Sequence, residues 1–332
     1  MREVMNIFAL GEKVLRGGSI TRAEASKLAN TAEENLPFLL AMADKIRQKF
    51  VGDEVDLCSI VNGRSGRCSE DCTFCAQSAH YKADIKVYDL LSSDELVAAA
   101  KKAQAGGALR FSIVTSGRGV ASDNDFPKII EALKRIKAET NLLLCASLGT
   151  LTLERAKALK EIGVSRYHHN VESSRGYYDK ICSTHSYDDR AKTIEIAHEA
   201  GLEVCSGGIM GLGESMEDRL DMAFDLKEMN VHSVPLNLLN PIKGTPLEGQ
   251  VALKPKEILK IFALFRFILP KKGIRTAGGR EVNLRDLQAL GLMGGINGML
   301  IGGYLTTGGR NYSDDMKMIT DLDLVALSAQ KN

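Results

Sequence analysis

Three cysteines stand within eight residues at CSEDCTFC, as Cys68, Cys72 and Cys75, separated by charged and polar side chains. Structural zinc calls for four ligands closed into a tetrahedron, usually from two knuckles far apart in sequence, and no second knuckle follows. The Cys-x3-Cys-x2-Cys spacing suits instead three corners of a cubane iron–sulfur cluster, each thiolate on its own iron and the fourth iron open to a substrate or cofactor. Ser69, Glu70, Asp71 and Thr73 make the segment a polar loop, which argues against thiols buried merely for packing. Cubane cluster, zinc site and structural thiols are the three readings that the residues alone leave, and the spacing favours the first.

A cluster loop needs a frame that holds it over a cavity. Short apolar runs supply one: EVDLCSIVN (54–62), LRFSIVTS (109–116), LLLCASLG (142–149), RYHHNVE (166–172), EVCSGGIM (203–210), SVPLNLL (233–239), IRTAGG (274–279) and GMLIGG (298–303). Helix starts lie between several of them, at Ser92 with Glu95, Ser186 with Asp189 and Ser215 with Asp218, each a cap residue followed three positions later by an acid. Strands alternating with helices predict an α/β fold of the TIM type, a (β/α)8 barrel, with a doubly wound open sheet as the runner-up. In a barrel the chemistry sits at the carboxyl ends of the strands, and the cysteine loop follows the first of them. Thr21 with Glu24 opens a helical stretch to Phe50, so residues 1–50 are expected as an N-terminal helical extension and 51–332 as the barrel domain.

The composition narrows the partners. The chain's 43 basic and 42 acidic side chains nearly cancel, so no long-range field draws nucleic acid or anionic lipid. Apolar stretches such as IFALFRFIL (261–269) fall short of the ~20 residues that span a bilayer. MREVMNIFALGEKVLRGG at the start shows no apolar block followed by a small-residue cleavage site, so a cytoplasmic protein with reduced thiols is expected. Seven cysteines in such a compartment point to metal or redox chemistry rather than to structural bridges.

With Phe74 just before its last cysteine, the triplet resembles that of the radical S-adenosylmethionine (SAM) superfamily. NGRSGRCSEDCTFCAQSAHY (62–81), ASLGTL (146–151), YHHN (167–170), CSGGIMGLGE (205–214), KGTPL (243–247), AGGRE (277–281) and LTTG (305–308) resemble, in order, the biotin synthase family. The resemblance implies a homodimeric barrel with a 4Fe-4S cluster on Cys68, Cys72 and Cys75, whose open iron is chelated by SAM. An electron from a flavodoxin- or ferredoxin-type donor then cleaves SAM to a 5′-deoxyadenosyl radical, and sulfur enters dethiobiotin between C6 and C9. A primary carbon radical must be kept from water and from side chains, which a closed barrel can do.

The sulfur source that the resemblance implies is an auxiliary cluster, 2Fe-2S in the family, held by three cysteines and an arginine. Carried over, these are Cys145, Cys205 and Arg275, but Ser112 stands where the strand-two cysteine should be. A neutral hydroxyl is a poorer iron ligand than a thiolate. Either Ser112 or another oxygen donor completes a weaker two-iron site, or Cys182, after strand four, moves in and the iron count differs. Cys58, in the first apolar run, reads as a small packing residue. By the same resemblance Phe74, Asn170, Glu172 and Arg190 meet the cofactor. Arg190 takes the cofactor carboxylate, a task for a guanidinium fork. Asn170 meets dethiobiotin as well as the cofactor ribose, Asn237 meets the substrate ureido group, and Thr306 with Thr307 receives its carboxylate. His168 replaces a family asparagine on the substrate side, and Arg110 shares the face of Ser112. Another radical SAM enzyme with a different small substrate, and a non-catalytic iron–sulfur carrier, are the alternatives.

Overall fold

The computed structural model describes residues 1–120 and 124–329. Strands β1 (Glu54–Arg64), β2 (Arg110–Thr115), β3 (Leu143–Ser147), β4 (Val164–His168), β5 (Glu203–Cys205), β6 (Gly208–Met210), β7 (Ser233–Leu238), β8 (Gly273–Thr276) and β9 (Gly298–Leu300) pair in parallel. β5 and β6 are two halves of one stave against β7, and β9 returns to β1 with Asp56 opposite Gly298. The sheet therefore closes into the expected (β/α)8 barrel rather than an open doubly wound sheet. β10 (Val325–Leu327) adds to the first residues of β1.

Three helices, α1 (Arg2–Leu15), α2 (Arg22–Ala29) and α3 (Leu36–Val51), precede the barrel. α4 (Ser93–Ala105), α5 (Asp125–Glu139), α6 (Leu153–Glu161), α7 (Tyr187–Glu199), α8 (Met216–Glu228) and α9 (Pro255–Ile268) follow successive staves. α10 (Arg280–Leu284) and α11 (Gln288–Leu292) lie between β8 and β9, and α12 (Tyr312–Asp321) precedes β10. Full capping boxes form at Thr21, Ser92, Ser186 and Ser215, each side chain accepting from the backbone three residues on while that acid reaches back. Such a cap contributes about 1 kcal/mol and fixes where the chain turns from loop into helix. Among the described residues no helix is long and apolar enough to cross a membrane.

The core lies between staves and helices. Leu57, Phe111, Ile113, Leu144, Val204, Leu236 and Ile274 are buried there. They alternate along their strands with the residues that face into the barrel, as a period of two requires.

Local structure departs from the sequence reading in three places. The stretch from Thr21 to Phe50 is not one helix: it breaks after Ala29 and restarts at Leu36 with Pro37 in the first turn, where a missing N–H costs nothing. The fourth strand ends at His168 rather than at Glu172. Beyond it the N–H groups of Val171 and Glu172 both donate to the Gly207 carbonyl, and Glu172 takes a left-handed φ of 67°. The fifth run is interrupted at Gly207, whose N–H goes to the Asn170 side chain and whose Cα lies so close to β7 that a Cβ would sit 2.0 Å from the Pro235 carbonyl oxygen. The last two place Asn170 and Glu172 at the mouth of the barrel.

Candidate active site

Inward-facing residues of β1 to β9 line a cavity of about 300 Å³ that opens at the carboxyl ends of the strands. Its deepest feature is ionic. Asp56 of β1 receives Arg110 Nε at 2.8 Å and has Arg275 Nη2 at 3.4 Å and Arg166 Nη1 at 3.7 Å; Arg166 also pairs with Glu203. Burial alone would push the Asp56 carboxyl up, but the guanidiniums of Arg275, Arg110 and Arg166 outweigh it and hold it at about 2. Arg275 in turn is fixed by a 3.0 Å hydrogen bond to Ser233 Oγ.

Around this base stand sulfur atoms. Strand register puts Ser112 opposite Cys145, Cys145 opposite Arg166, and His168 opposite Cys205. Cys145 and Cys205 line the cavity, and so does Cys58, so its place is not one of packing alone. Burial raises Cys145 and pushes Cys58 up to about 12. Cys205 differs: against burial, a hydrogen bond from His168 and the charges of Arg275 and Arg166 bring it down to about 6. Instead of facing only substrate, His168 thus contacts a cavity sulfur. Asp56, with the cavity cysteines behind it, raises Arg275 despite its burial, so it stays a guanidinium; ligating a metal would require that proton to leave.

The upper wall carries amides and a carboxylate. Asn170 Oδ1 accepts from Gly207 N at 3.1 Å while its Nδ2 donates to Glu172 Oε2 at 3.2 Å. Arg190, buried on α7, donates through Nη1 to the Asn170 carbonyl at 2.9 Å and through Nε to the Tyr178 hydroxyl at 2.6 Å, with Glu172 Oε1 at 3.7 Å. Asn237 is pinned between Gly278 N and the Gly208 carbonyl. Phe74, Cys75, Thr306 and Thr307 close the rim.

The cysteine loop folds over this mouth as a compact turn. Cys68 N donates to the Gln77 carbonyl at 3.0 Å, Ala79 N to the Cys68 carbonyl at 2.8 Å, and Cys75 N to the Cys72 carbonyl at 3.0 Å. Burial raises the Cys68 thiol and pushes Cys75 up to about 11. Such thiols are poor nucleophiles until a metal displaces their protons.

Cys182 is not where the replacement-ligand idea requires it. Thr73 N donates to the Ile181 carbonyl at 2.9 Å and ties the β4–α7 loop to the cysteine loop, so Cys182 Sγ lies 3.7 Å from Cys72 Sγ. It does not line the cavity, whereas Ser112 does. The hydrogen bond between Cys72 and Cys182 pushes Cys72 up and Cys182 down, to about 4, with His185 and Thr184 adding to the fall. Cys72, Cys182 and His185 come close enough to hold a metal ion. Their donors are engaged, however: His185 Nδ1 faces Glu70 Oε2 at 2.5 Å and Cys182 Sγ meets Asp71 Oδ1 at 3.2 Å.

Two of these features define a class. A closed (β/α)8 barrel with three cysteines in the loop after its first strand is a radical SAM enzyme, and residues 64–226 match the Radical SAM superfamily. Residues 235–325 match the Biotin and Thiamin Synthesis associated domain. The chain is 54% identical over 319 residues to a biotin synthase of Carboxydothermus hydrogenoformans, covering 96% of this chain and 98% of that protein. It is 52% identical over 320 residues to one of Clostridium acetobutylicum, with 96% and 98% covered. The chain belongs to the biotin synthase family. Its fold is also that of methylornithine synthase (TM-score 0.82, 22% identity, 96% of this chain and 97% of that one). The same holds for the FeFe-hydrogenase maturase of C. hydrogenoformans (TM-score 0.82, 21% identity, 96% and 79%).

Proposed function

We propose that the chain inserts sulfur between C6 and C9 of dethiobiotin to form biotin, a sulfurtransferase reaction run from two iron–sulfur sites that face one cavity. The observation that carries this reading is the cavity itself. It has thiols and guanidiniums below, amides and a carboxylate on the wall, and Phe74 and Cys75 of the cysteine loop above. The donor sets fit the groups. Cys68, Cys72 and Cys75 offer three thiols on a turn and would hold the 4Fe-4S cluster. Cys145 and Cys205 offer two more beside Ser112 Oγ and Arg166 Nη1, buried polar atoms that lack a hydrogen-bond partner, so the space between them accepts further polar atoms. An auxiliary cluster would sit there with Arg275, and 2Fe-2S or a cluster of different iron count are both compatible with Ser112. When bound, the 4Fe-4S cluster with SAM supplies hydrogen abstraction and the auxiliary cluster supplies sulfur.

The chain's own residues bind, orient and exclude water. Glu172 would accept from the ribose hydroxyls of SAM, and Phe74 would pack beside it. Asn170, already fixed by Gly207 and Glu172, would meet both the cofactor ribose and the substrate. Asn237 would meet the ureido group, His168 would approach the same end of the substrate, and Thr306 with Thr307 would take its carboxylate. Flavodoxin- or ferredoxin-type reduction, a cytoplasmic location, a homodimer and a 1–50 extension serving the 51–332 catalytic domain complete the proposal; near-balanced charge and the family likeness support it.

Anaerobic incubation with dithionite, SAM and dethiobiotin is expected to yield 5′-deoxyadenosine and biotin. Deoxyadenosine without biotin would overturn the substrate, and neither product would leave only an iron–sulfur carrier. Arg190 gives a sharper check. Its fork spans the Tyr178 hydroxyl and the Asn170 carbonyl, so Arg190→Lys keeps the charge but cannot hold both. Charge-assisted hydrogen bonds contribute about 1.5–3 kcal/mol each, so KM for SAM should rise about 10- to 100-fold. The two iron–sulfur contents should stay unchanged, as iron and sulfide analysis would show.

A further inference from the structure

Ser112 leaves the cavity one thiolate short, and the barrel supplies another. On β1 the inward positions run Asp56, Cys58, Ile60, two residues apart as a strand requires. Ile60 is opposite Ser112, and Cys58 is opposite Arg110 on one side and Leu300 on the other. Cys58 therefore lies one inward position from the level of Ser112, on the adjacent strand, and lines the same cavity as Ser112, Cys145 and Cys205. Its sulfur is weakly held, 3.9 Å from its neighbour's carbonyl at Ser59. Ser112 Oγ and Arg166 Nη1, in residues 4% and 8% exposed, have no hydrogen-bond partner and belong to the same cavity wall.

Charge points the same way. Arg110, Arg166 and Arg275 face Asp56 and Glu203, one guanidinium more than there are carboxylates. An uncompensated buried charge is costly. With Arg275 beside the cluster as a guanidinium rather than bound to it, a dicationic iron–sulfur core on three thiolates carries one net negative charge and cancels the surplus, whereas on two thiolates it is neutral and leaves the surplus standing.

We propose that Cys58 is the third thiolate ligand of the auxiliary cluster, taking over from the adjacent strand the role that Ser112 cannot fill. The proposal rests on the reading of this cavity as an auxiliary cluster site, and its test separates the two. In a full-length Cys68→Ala/Cys72→Ala/Cys75→Ala background, iron and sulfide retained after anaerobic reconstitution report the barrel site alone. Adding Cys58→Ser, which keeps the side-chain volume, should cut the iron and sulfide surviving a fixed chelator wash by about 10-fold or more, as loss of a metal-site residue does. The thermal melt of the metal-free protein should barely move. Ser112→Cys added to Cys58→Ser should restore retention, because Ser112 faces Cys145 across the β2–β3 pairing. Cys145→Ala and Cys205→Ala are the comparators. If they lose iron while Cys58→Ser keeps its iron, sulfide and visible absorption, the Cys58 assignment is overturned. If all three keep them, the auxiliary-site reading falls as well.

Discussion

Cys72→Ala abolishes 5′-deoxyadenosine formation. The drop should exceed about a thousandfold and reach the floor of the assay, because a group that works only as a complete set fails as a whole when one member is lost. Cys72 is buried and sits at the centre of its loop, with its carbonyl accepting from Cys75 N and its sulfur 3.7 Å from Cys182. Alanine leaves the backbone turn intact, so the loss is one of ligation and not of loop shape. Iron and sulfide per chain should fall by the share of the 4Fe-4S site while the auxiliary share stays. Cys182→Ala is the instructive comparison. Its thiol lies beside Cys72 and outside the barrel cavity, so auxiliary iron and sulfide should be unaffected, contrary to what a cavity ligand at that position would give. A Cys72→Ala enzyme that still cleaves SAM, with Cys182→Ala inactive, would mean that Cys182 and His185 ligate in its stead, since those donors stand close enough to try.

Much of this arrangement is written in local pattern. Strand period, cap residues and the cysteine spacing are short-range signals, and the barrel, four capping boxes and the loop over its mouth follow from them. Inward placement of Ser112, Cys145, Cys205, Asn237 and Arg275 follows from the same period of two. What escaped depends on which distant segments meet. Cys182 belongs to a loop with no period, and only its tie through Ile181 to Thr73 settles which site it serves. Cys58 carries a readable signal, its two-residue spacing from Asp56 on one strand, but the thiols that share its cavity come from β3 and β5. Strand period does not reach Asn170 and Glu172, since β4 ends before them and Gly207 holds them at the mouth.

Asp56→Asn should destabilise the metal-free protein by about 3–5 kcal/mol, the range for removing one partner from a buried ion pair. Asn preserves the shape but not the charge, and Arg110, Arg275 and Arg166 would then face one another with only Glu203, bound to Arg166, as counter-charge. Chemical denaturation midpoints of wild type and variant, at equal slope, measure the difference. Acid gives the same interaction a second readout. The Asp56 carboxyl is depressed in the folded state to about 2 from its ordinary 3.8, so the charged form favours folding above the ordinary value and the gain is lost as pH falls toward 2. The linkage amounts to about 2 kcal/mol, so between about pH 4 and pH 2 wild type should lose stability that the variant has already lost, and the gap between their denaturation curves should narrow by that amount. Parallel curves across that range would place the stabilising charge elsewhere. Function is tied to the same carboxylate. Asp56 holds Arg275 and Arg110 at the base of the cavity, so an Asp56→Asn enzyme that still folds should retain less auxiliary iron than wild type after an identical chelator wash, with the 4Fe-4S content at the mouth unchanged. A pair of effects split in this way, stability and lower-site iron lost while the upper site is kept, is what a charge centre beneath the sulfur atoms demands.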